Sequence, residues 1–229
     1  MISYEEERKK VLEIAQKILH SGEVIGTSGN VSIRIKPKTE DEEELYAITP
    51  SNMDYDELDL EDIVIMNAKG KRVRAAGGKR NSPSVERKLH IGIYELRSDV
   101  NGIIHTHSLY PVTVSTLIDE LPNEELPAIL EEQAIYLGGP IKIAKFASTG
   151  SPELAQSVHE AIGDMGAVIL RRHGAVCVGK NLDKAFRNVQ LLNKASRAFL
   201  LAKSAGNVTP LDPEALKNCQ RLYTATRQI

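Results

Sequence analysis

Two histidines separated by one residue, His105 and His107, place the strongest constraint on how this chain can fold. They follow Ile103 and Ile104, which have the β-branched character of a buried strand. On an extended strand, side chains at positions i and i+2 project from the same face. The sequence therefore predicts both imidazoles at a strand end, positioned to bind one metal ion. Because isolated histidines are more often packed or solvated, a metal site also requires ligands from elsewhere in the chain.

The composition limits the kind of protein that can carry such a site. The chain has 229 residues, 41% hydrophobic and 26% charged, which is enough for a substantial core. A formal net charge of −2 without long blocks of one sign argues against binding to nucleic acid or to an acidic membrane surface. The acidic first residues, and the lack of any apolar run near the ~20 residues of a membrane span, predict a cytoplasmic protein. Two cysteines, Cys177 and Cys219, are too few for a disulfide framework and are expected to be reduced core residues.

Hydrophobic periodicity divides the chain into strand and helix segments. Helices are predicted over residues 3–20, 82–96, 111–117, 151–162, 181–205 and 213–227. Strands are predicted over residues 31–35, 45–48, 62–66, 103–107, 141–144 and 167–173, with a further strand-like run around Cys177. This mixture predicts a single α/β domain over residues 1–229, in which helices cover a central, mainly antiparallel sheet.

Further candidate ligands occur at two other predicted element ends. His173, followed by glycine, ends an apolar strand, and Glu86 lies in the first turn of the helix predicted from Ser82. Three histidines at strand ends and one carboxylate at a helix start form the ligand set of a catalytic Zn²⁺ or another divalent transition metal. The remaining histidines are interpreted as packing or surface residues: His20, His90 and His159.

Small polar turns accompany these elements, and two of them have features of anion sites. Backbone N–H groups of the turn at residues 27–30 could form an anion-binding concavity, although a plain turn before a strand is the simpler interpretation. The helix start at Ser82 could bind phosphate, with Lys79 and Arg80 nearby, although a capped surface helix is the simpler interpretation. A similar polar turn occurs at residues 49–52.

Five motifs in this order resemble the class II aldolase/adducin family, and specifically its L-fuculose-phosphate-aldolase-like members. They are Thr-Ser-Gly-Asn-Val-Ser at residues 27–32, Ile-Thr-Pro-Ser at 48–51, Ser-Pro-Ser-Val-Glu at 82–86, His-Thr-His at 105–107 and Arg-Arg-His-Gly at 171–174. Each motif is weak alone, whereas the ordered set is specific and runs through nearly the whole chain. The resemblance implies a three-layer α/β/α domain that assembles as a homotetramer, with active sites between neighbouring subunits.

The resemblance also implies roles for individual residues. The zinc-binding histidines correspond to His105, His107 and His173. Glu86 corresponds to a carboxylate that binds zinc at rest and then acts as the base, and Asn30 to an asparagine that contacts the enediolate. The turns that hold the substrate phosphate correspond to Gly29-Asn30, Ser51-Asn52 and Ser84-Val85.

Several positions depart from the pattern that the resemblance implies. Asn52 replaces a usual glycine and Val85 replaces a frequent second serine, so the phosphate site is altered or weaker. Glu131 replaces the tyrosine that protonates the aldehyde oxygen from a neighbouring subunit, and Thr149 replaces an aromatic residue beside the aldehyde. The aldehyde product is therefore left open. Tyr223 matches a tyrosine near the C-terminus of the family, with packing of the last helix as an alternative role.

These correspondences imply zinc-dependent cleavage of a ketose 1-phosphate, similar to fuculose 1-phosphate, into dihydroxyacetone phosphate and a short aldehyde. Zinc would stabilise the enediolate as a Lewis acid, and Glu86 would handle the proton at the hydroxymethyl carbon. The alternatives within the family are a pentulose-5-phosphate 4-epimerase, a sugar-acid-phosphate decarboxylase and a dehydratase. Epimerases tend to have aspartate at the position of Glu86, so the glutamate favours aldol chemistry. A non-catalytic adducin-like scaffold would lack the metal-binding set, which is complete here.

Overall fold

The computed structural model describes residues 2–37 and 39–227, which form both helices and strands. The strands are β1 Asn30–Ile35, β2 Leu45–Ile48, β3 Val64–Asn67, β4 Gly102–Thr106, β5 Glu125–Leu126, β6 Ile141–Ala144, β7 Ala167–Leu170 and β8 Gly174–Gly179. The helices are α1 Glu5–His20, α2 Arg87–Leu96, α3 Leu109–Ser115, α4 Glu131–Leu137, α5 Pro152–Ile162, α6 Leu182–Ala205 and α7 Pro213–Arg227. Short 3₁₀ helices cover Arg74–Ala76, Ile118–Glu120 and Pro122–Glu124.

All these strands belong to one sheet, in the order β3-β2-β1-β4-β8-β7-β6-β5. Within the described residues, β6 and β7 are the one parallel pair and the other neighbours are antiparallel, which confirms the mainly antiparallel sheet. At its centre, β4 pairs with β1 and β8, so that Asn30 lies opposite His105 and Ala175 lies opposite Thr106. Three segments that are remote in sequence therefore meet where these central strands end.

Alternating side chains of the strands fill two cores, one on each face of the sheet. Along β4, Ile103 faces one core and Ile104 faces the other, and both side chains are fully buried. Helices α1, α3 and α6 pack on the face of Ile104, whereas α2 and α5 pack on the face of Ile103. Because each buried isoleucine contributes about 1.5–3 kcal/mol, the alternating pattern stabilises helices on both faces. The three-layer α/β/α arrangement is confirmed.

Capping residues explain where two of the predicted helices begin. Ser151 Oγ accepts a hydrogen bond from Leu154 N–H at 3.1 Å, and Asn181 Oδ1 accepts one from Lys184 N–H at 2.9 Å. Each cap satisfies an N–H group that the first helical turn leaves free. The helices predicted over residues 151–162 and 181–205 are therefore confirmed to within one residue. No helix of the described residues is both long and apolar enough to cross a membrane.

The helix start predicted at Ser82 is wrong, because residues 82–84 run beside residues 49–51 instead. Ser51 N–H donates to Ser82 O at 3.0 Å, and Ser84 N–H donates to Thr49 O at 3.2 Å. These hydrogen bonds between distant segments keep residues 82–84 out of the helix. Helix α2 begins at Arg87, and Glu86 occupies its cap position.

Other predicted boundaries shift by smaller amounts. The strand predicted over residues 167–173 ends at Leu170, because Arg172 adopts a left-handed conformation with φ 57° and reverses the chain. His173 consequently lies in the turn before β8. The strand predicted over 103–107 ends at Thr106, and the helix predicted over 111–117 begins at Leu109. The sequence patterns predicted neither β5 nor α4.

Candidate metal centre

Three histidines lie together where the central strands β4 and β8 meet at their ends. His105 is on β4, His107 follows the end of β4, and His173 precedes β8. Antiparallel pairing brings the end of β4 beside the start of β8, so histidines 66 or more residues apart in sequence become neighbours. Their ring centroids are 4.9–5.0 Å apart, and one potential ligand atom from each lies within 4.8 Å of the others.

Glu86 reaches the same point from the N-terminal end of α2. Its Oε2 lies 3.1 Å from His105 Nε2, and its Oε1 lies 3.5 Å from His173 Nε2. The carboxylate is 5% exposed, so it is largely shielded from water. The structure thus brings together all four residues that the sequence analysis singled out as metal ligands.

The donor atoms are oriented as a divalent cation requires. His105 Nδ1–H donates to Ala175 O at 3.0 Å, which leaves the lone pair of Nε2 facing the other histidines. His107 Nε2 lies 3.1 Å from His105 Nε2. Glu86 Oε1 and both ring nitrogens of His173 are buried without a hydrogen-bond partner. Buried polar atoms are normally paired, and a cation between these groups would satisfy Glu86 Oε1 and His173 Nε2.

The electrostatics of the cluster agree with metal binding. Burial lowers the pKa of His107 and of His173 to about 4, so both imidazoles are neutral near pH 7, the form that binds metal. Burial opposes ionisation of Glu86, but the positive charge and hydrogen bond of His105 outweigh it, and the pKa of Glu86 falls below its ordinary value. Burial likewise disfavours the charged form of His105, but the adjacent Glu86 outweighs this and raises its pKa. A cation that binds His105 Nε2 would therefore displace the proton from that nitrogen and leave its lone pair for the metal.

The polar turns singled out for phosphate converge beside this cluster. Thr49 N–H donates to Val31 O at 3.0 Å and Ser84 N–H donates to Thr49 O, so the turn at 49–52 lies between β1 and the segment before α2. These contacts bring five candidate residues to the same region: Gly29, Asn30, Ser51, Asn52 and Ser84. Asn30 is closest to the cluster, because its Nδ2 donates to Glu86 Oε2 at 2.8 Å.

Two backbone features explain residue types in these turns. Gly29 has φ +77°, and a Cβ atom there would lie 2.6 Å from His105 O, so no larger residue fits. Asn52 has φ +58°, a left-handed conformation that asparagine tolerates better than most residues. The replacement of the usual glycine by Asn52 therefore preserves the shape of the turn. Val85, in contrast, is 51% exposed and has no polar side-chain atom to offer a phosphate.

His90 is a polar partner of the site that sequence reasoning left aside. It is fully buried, and its Nε2 forms a hydrogen bond with Asn30 Oδ1. Its position four residues after Glu86, on the same face of α2, was the available signal. His20 is exposed and pairs with Asp56, and His159 contacts Leu89 O, as expected for surface and packing residues.

The positions where the sequence departs from the family pattern lie outside the cluster. Glu131 and Thr149 are exposed, and Glu131 begins α4. Tyr223, which matches a tyrosine of the family, is buried and donates to Asp164 O at 2.7 Å, a contact that fits the alternative role in packing the last helix. None of these three residues makes a described contact with the three histidines.

Comparisons with known proteins agree with this geometry. The sequence profile of the family described as Class II Aldolase and Adducin N-terminal domain matches residues 9–200. The chain is 31% identical over 220 residues to the 5-deoxy-D-ribulose 1-phosphate aldolase of Bacillus thuringiensis serovar kurstaki, covering 96% of each chain. It is 33% identical over 195 residues to the L-fuculose phosphate aldolase of Methanocaldococcus jannaschii, covering 85% of this chain and 96% of that one. The solved structure of an L-fuculose 1-phosphate aldolase superposes with a TM-score of 0.86 at 28% identity, covering 97% of this chain and 98% of that chain.

Proposed function

The chain belongs to the class II aldolase/adducin family as an enzyme of the fuculose-1-phosphate aldolase type, and we propose that it cleaves a ketose 1-phosphate into dihydroxyacetone phosphate and a short aldehyde. The convergence of three histidines and Glu86 beside the polar turns carries this proposal. This arrangement offers a metal site and an anion site next to each other, as a phosphorylated ketose requires.

The residues that would hold the metal are His105, His107, His173 and Glu86. Imidazoles with one carboxylate suit Zn²⁺, and other divalent transition metals are alternatives. When bound, the ion supplies Lewis acidity that stabilises negative charge developing on oxygen atoms of the substrate. The protein contributes the geometry, because the Nδ1–H of His105 is anchored on Ala175 O and its ring cannot turn away.

Free backbone donors support the proposed phosphate site. Among the described residues, the N–H groups of Gly29, Asn52 and Val85 have no acceptor in the chain. Each belongs to a different one of the three converging turns, and we propose that the three N–H groups donate to one phosphate group. Val85 contributes its backbone alone, and Ser51 and Ser84 provide the hydroxyl groups of the site.

Glu86 is proposed as the residue that moves the proton at the substrate carbon. In the cleavage direction, the C4 hydroxyl gives up its proton, which passes through water to the Glu86 carboxylate, the C3–C4 bond breaks, and its electron pair stays on the C3 side as an enediolate. C4 leaves as the aldehyde carbon. Glu86 then delivers a proton to C3, which completes the hydroxymethyl group of dihydroxyacetone phosphate and balances the proton lost from the C4 hydroxyl. In the synthetic direction, the same carboxylate removes this proton.

We further propose that the chain, as one domain of residues 1–229, forms a homotetramer with active sites between neighbouring subunits. The exposed N-terminal end of α4, with Glu131, would then face the site of a neighbour. Light scattering at the protein concentration of the assay should give the mass of four chains. A monomer mass together with full activity would contradict the proposal.

A substrate panel tests the reaction. Metal-loaded protein should release dihydroxyacetone phosphate from at least one ketose 1-phosphate, with L-fuculose 1-phosphate and 5-deoxy-D-ribulose 1-phosphate as the first substrates to try. Carbon dioxide from a sugar-acid phosphate, or an epimer from a pentulose 5-phosphate, without dihydroxyacetone phosphate would instead support the decarboxylase or the epimerase.

Glu86→Gln separates the role of Glu86 as base from its role as metal ligand. The three histidines should retain most of the metal, while exchange of the hydroxymethyl proton of dihydroxyacetone phosphate with deuterated solvent should fall by about 10²–10⁴-fold. Glu131→Gln, a matched change at an exposed glutamate, should leave this exchange intact. Normal exchange in Glu86→Gln combined with loss in Glu131→Gln would move the base to Glu131 of a neighbouring subunit.

A further inference from the structure

A buried chain of hydrogen bonds leads away from Glu86 into the core beneath α2. Asn30 Nδ2 donates to Glu86 Oε2 at 2.8 Å, and Asn30 Oδ1 is bonded to His90 Nε2. His90 Nδ1 lies 2.6 Å from Ser32 Oγ, which lies 2.8 Å from the hydroxyl of Tyr94. All five residues are at most 5% exposed, so water does not compete for these bonds.

If Glu86 is ionised, donors and acceptors along these hydrogen bonds can be arranged in one way. A carboxylate only accepts hydrogen bonds, so the amide group of Asn30 must face it and the Oδ1 of Asn30 must face His90. His90 Nε2 must then carry the proton, and its Nδ1 must be a bare acceptor. The hydroxyl of Ser32 is the group that donates to Nδ1, which leaves its oxygen to accept from Tyr94.

We propose that His90 is a positioning residue that holds the Asn30 amide with its N–H groups toward Glu86 and the substrate. This inference rests on the proposed function, in which Glu86 and Asn30 both act on the substrate. The Nδ2 of Asn30 has two hydrogens. One is bonded to Glu86, so the second is available to an oxyanion of the substrate.

The opposite orientation of the Asn30 amide would damage the site in two ways. It would place Oδ1 at 2.8 Å from Glu86 Oε2, so that two oxygen acceptors would face each other without a proton. It would also remove a donor from the region where negative charge develops. Apart from Glu86, the described partner of the Asn30 side chain is His90, and the Nε2–H form of its imidazole makes this opposite orientation unfavourable.

The neutral form of His90 is essential to this role, because an imidazolium would also carry a proton on Nδ1. The Ser32 hydroxyl would then have to turn its hydrogen away from His90 and toward Tyr94. Complete burial favours the neutral ring and lowers the pKa of His90 to about 3. Ser32 and Asn30 together select one tautomer of that neutral ring.

The tautomer of His90 is measurable by NMR without any substrate. The full-length protein is labelled with ¹⁵N in histidine and loaded with zinc, and long-range ¹H–¹⁵N correlations report which ring nitrogen carries hydrogen. The His90 signals are identified by their absence in His90→Gln. We expect a protonated Nε2 and a bare Nδ1. A protonated Nδ1, alone or together with Nε2, would overturn the proposal.

Variants then separate positioning from packing. His90→Leu removes the donor to Asn30, and kcat should fall by about 10–100-fold with metal content and KM little changed. His90→Gln places an amide N–H near the position of Nε2, so it should recover most of this loss. Tyr94→Phe is the control, because Ser32 still donates to His90 when the phenol hydroxyl is gone, and kcat should stay within about twofold.

Equal losses in His90→Gln and His90→Leu, in proportion to their losses of stability, would indicate packing alone and overturn the proposal. Full activity of His90→Leu would do the same. The tautomer measurement keeps the inference distinct from the proposed function. If the wild-type protein cleaves no ketose 1-phosphate yet shows the Nε2–H tautomer, the proposed reaction fails and the orientation of Asn30 stands.

Discussion

Replacing Gly174 with alanine should disrupt the histidine cluster without removing any of its ligands. Gly174 begins β8, directly after His173, and its φ is not in the left-handed region, so alanine is compatible with its backbone conformation. The obstacle is space. A Cβ atom at this position would lie 2.1 Å from Thr106 O, 3.0 Å from His105 Cε1 and 3.2 Å from His107 Cδ2.

The size of the effect follows from the closest of these distances. Ordinary contact of a Cβ begins at 3.4 Å, so 2.1 Å to Thr106 O is more than 1 Å too short. That oxygen belongs to the backbone of β4, so β8 and β4 must separate by a similar amount. His173 moves with β8, while His105 moves with β4. Overpacking of this kind costs about 1–3 kcal/mol of stability, and a 1 Å misplacement of catalytic groups costs about 10²-fold in rate.

The assay compares metal affinity, activity and stability in the same variant. Zinc titration with a competing chelator should show weaker binding by Gly174→Ala, and activity at saturating metal should fall by about 10²-fold. Gly22→Ala is the matched control. Gly22 has φ +73° and no atom within 4 Å of an added Cβ, so alanine should cost about 1–2 kcal/mol of stability there without affecting the metal site.

Two results would refute this reasoning. If Gly174→Ala bound zinc and turned over substrate as the wild type does, the spacing of β4 and β8 would not determine the geometry of the cluster. If Gly22→Ala weakened zinc binding as much as Gly174→Ala, the effect would reflect general destabilisation instead of local crowding.

Three further predictions concern the metal, an ion pair and assembly. His107→Ala should weaken metal binding by more than the 10–100-fold, roughly, that is lost when a residue hydrogen-bonded to a ligand is removed. His20→Ala, at an exposed histidine, should keep the metal. Equal metal content in the two variants would exclude His107 as a ligand. Arg97 donates two hydrogen bonds to Asp99 and lowers its pKa to about 2. A carboxyl group whose pKa is lowered by folding stabilises the fold at pH values above its unfolded pKa of about 4. Above that pH, denaturation should therefore show the wild type to be about 1 kcal/mol more stable than Asp99→Asn, after allowing for solvent screening. This difference should vanish as the pH falls to about 2, and a difference that persists there would show that the charge is not its source. Dilution to a monomeric state should abolish activity if sites are shared between subunits, and activity independent of concentration across that range would argue for complete sites within one chain.

Much of this fold could be predicted from local sequence patterns. Period-two alternation in β1 and the caps Ser151 and Asn181 act over a few residues, so a short window of sequence contains the information. The same holds for the chemical types of His105 and its partner histidines, which suit a divalent metal wherever the chain places them. The order of motifs then indicated the family before any contact was known.

The tertiary structure decided the features that depend on contacts between distant segments. Residues 82–84 contain a serine and a proline that locally favour a helix start, but their hydrogen bonds to residues 49–51 override that preference. Antiparallel pairing of β4 with β8 brings His173 beside His105, and a local sequence pattern cannot predict that these two residues are close. His90 looked like an ordinary helix residue in sequence, because its role depends on the Asn30 side chain 60 residues away. Local propensities determine which elements form, whereas the directions of hydrogen bonds inside the core are determined only when those elements have packed together.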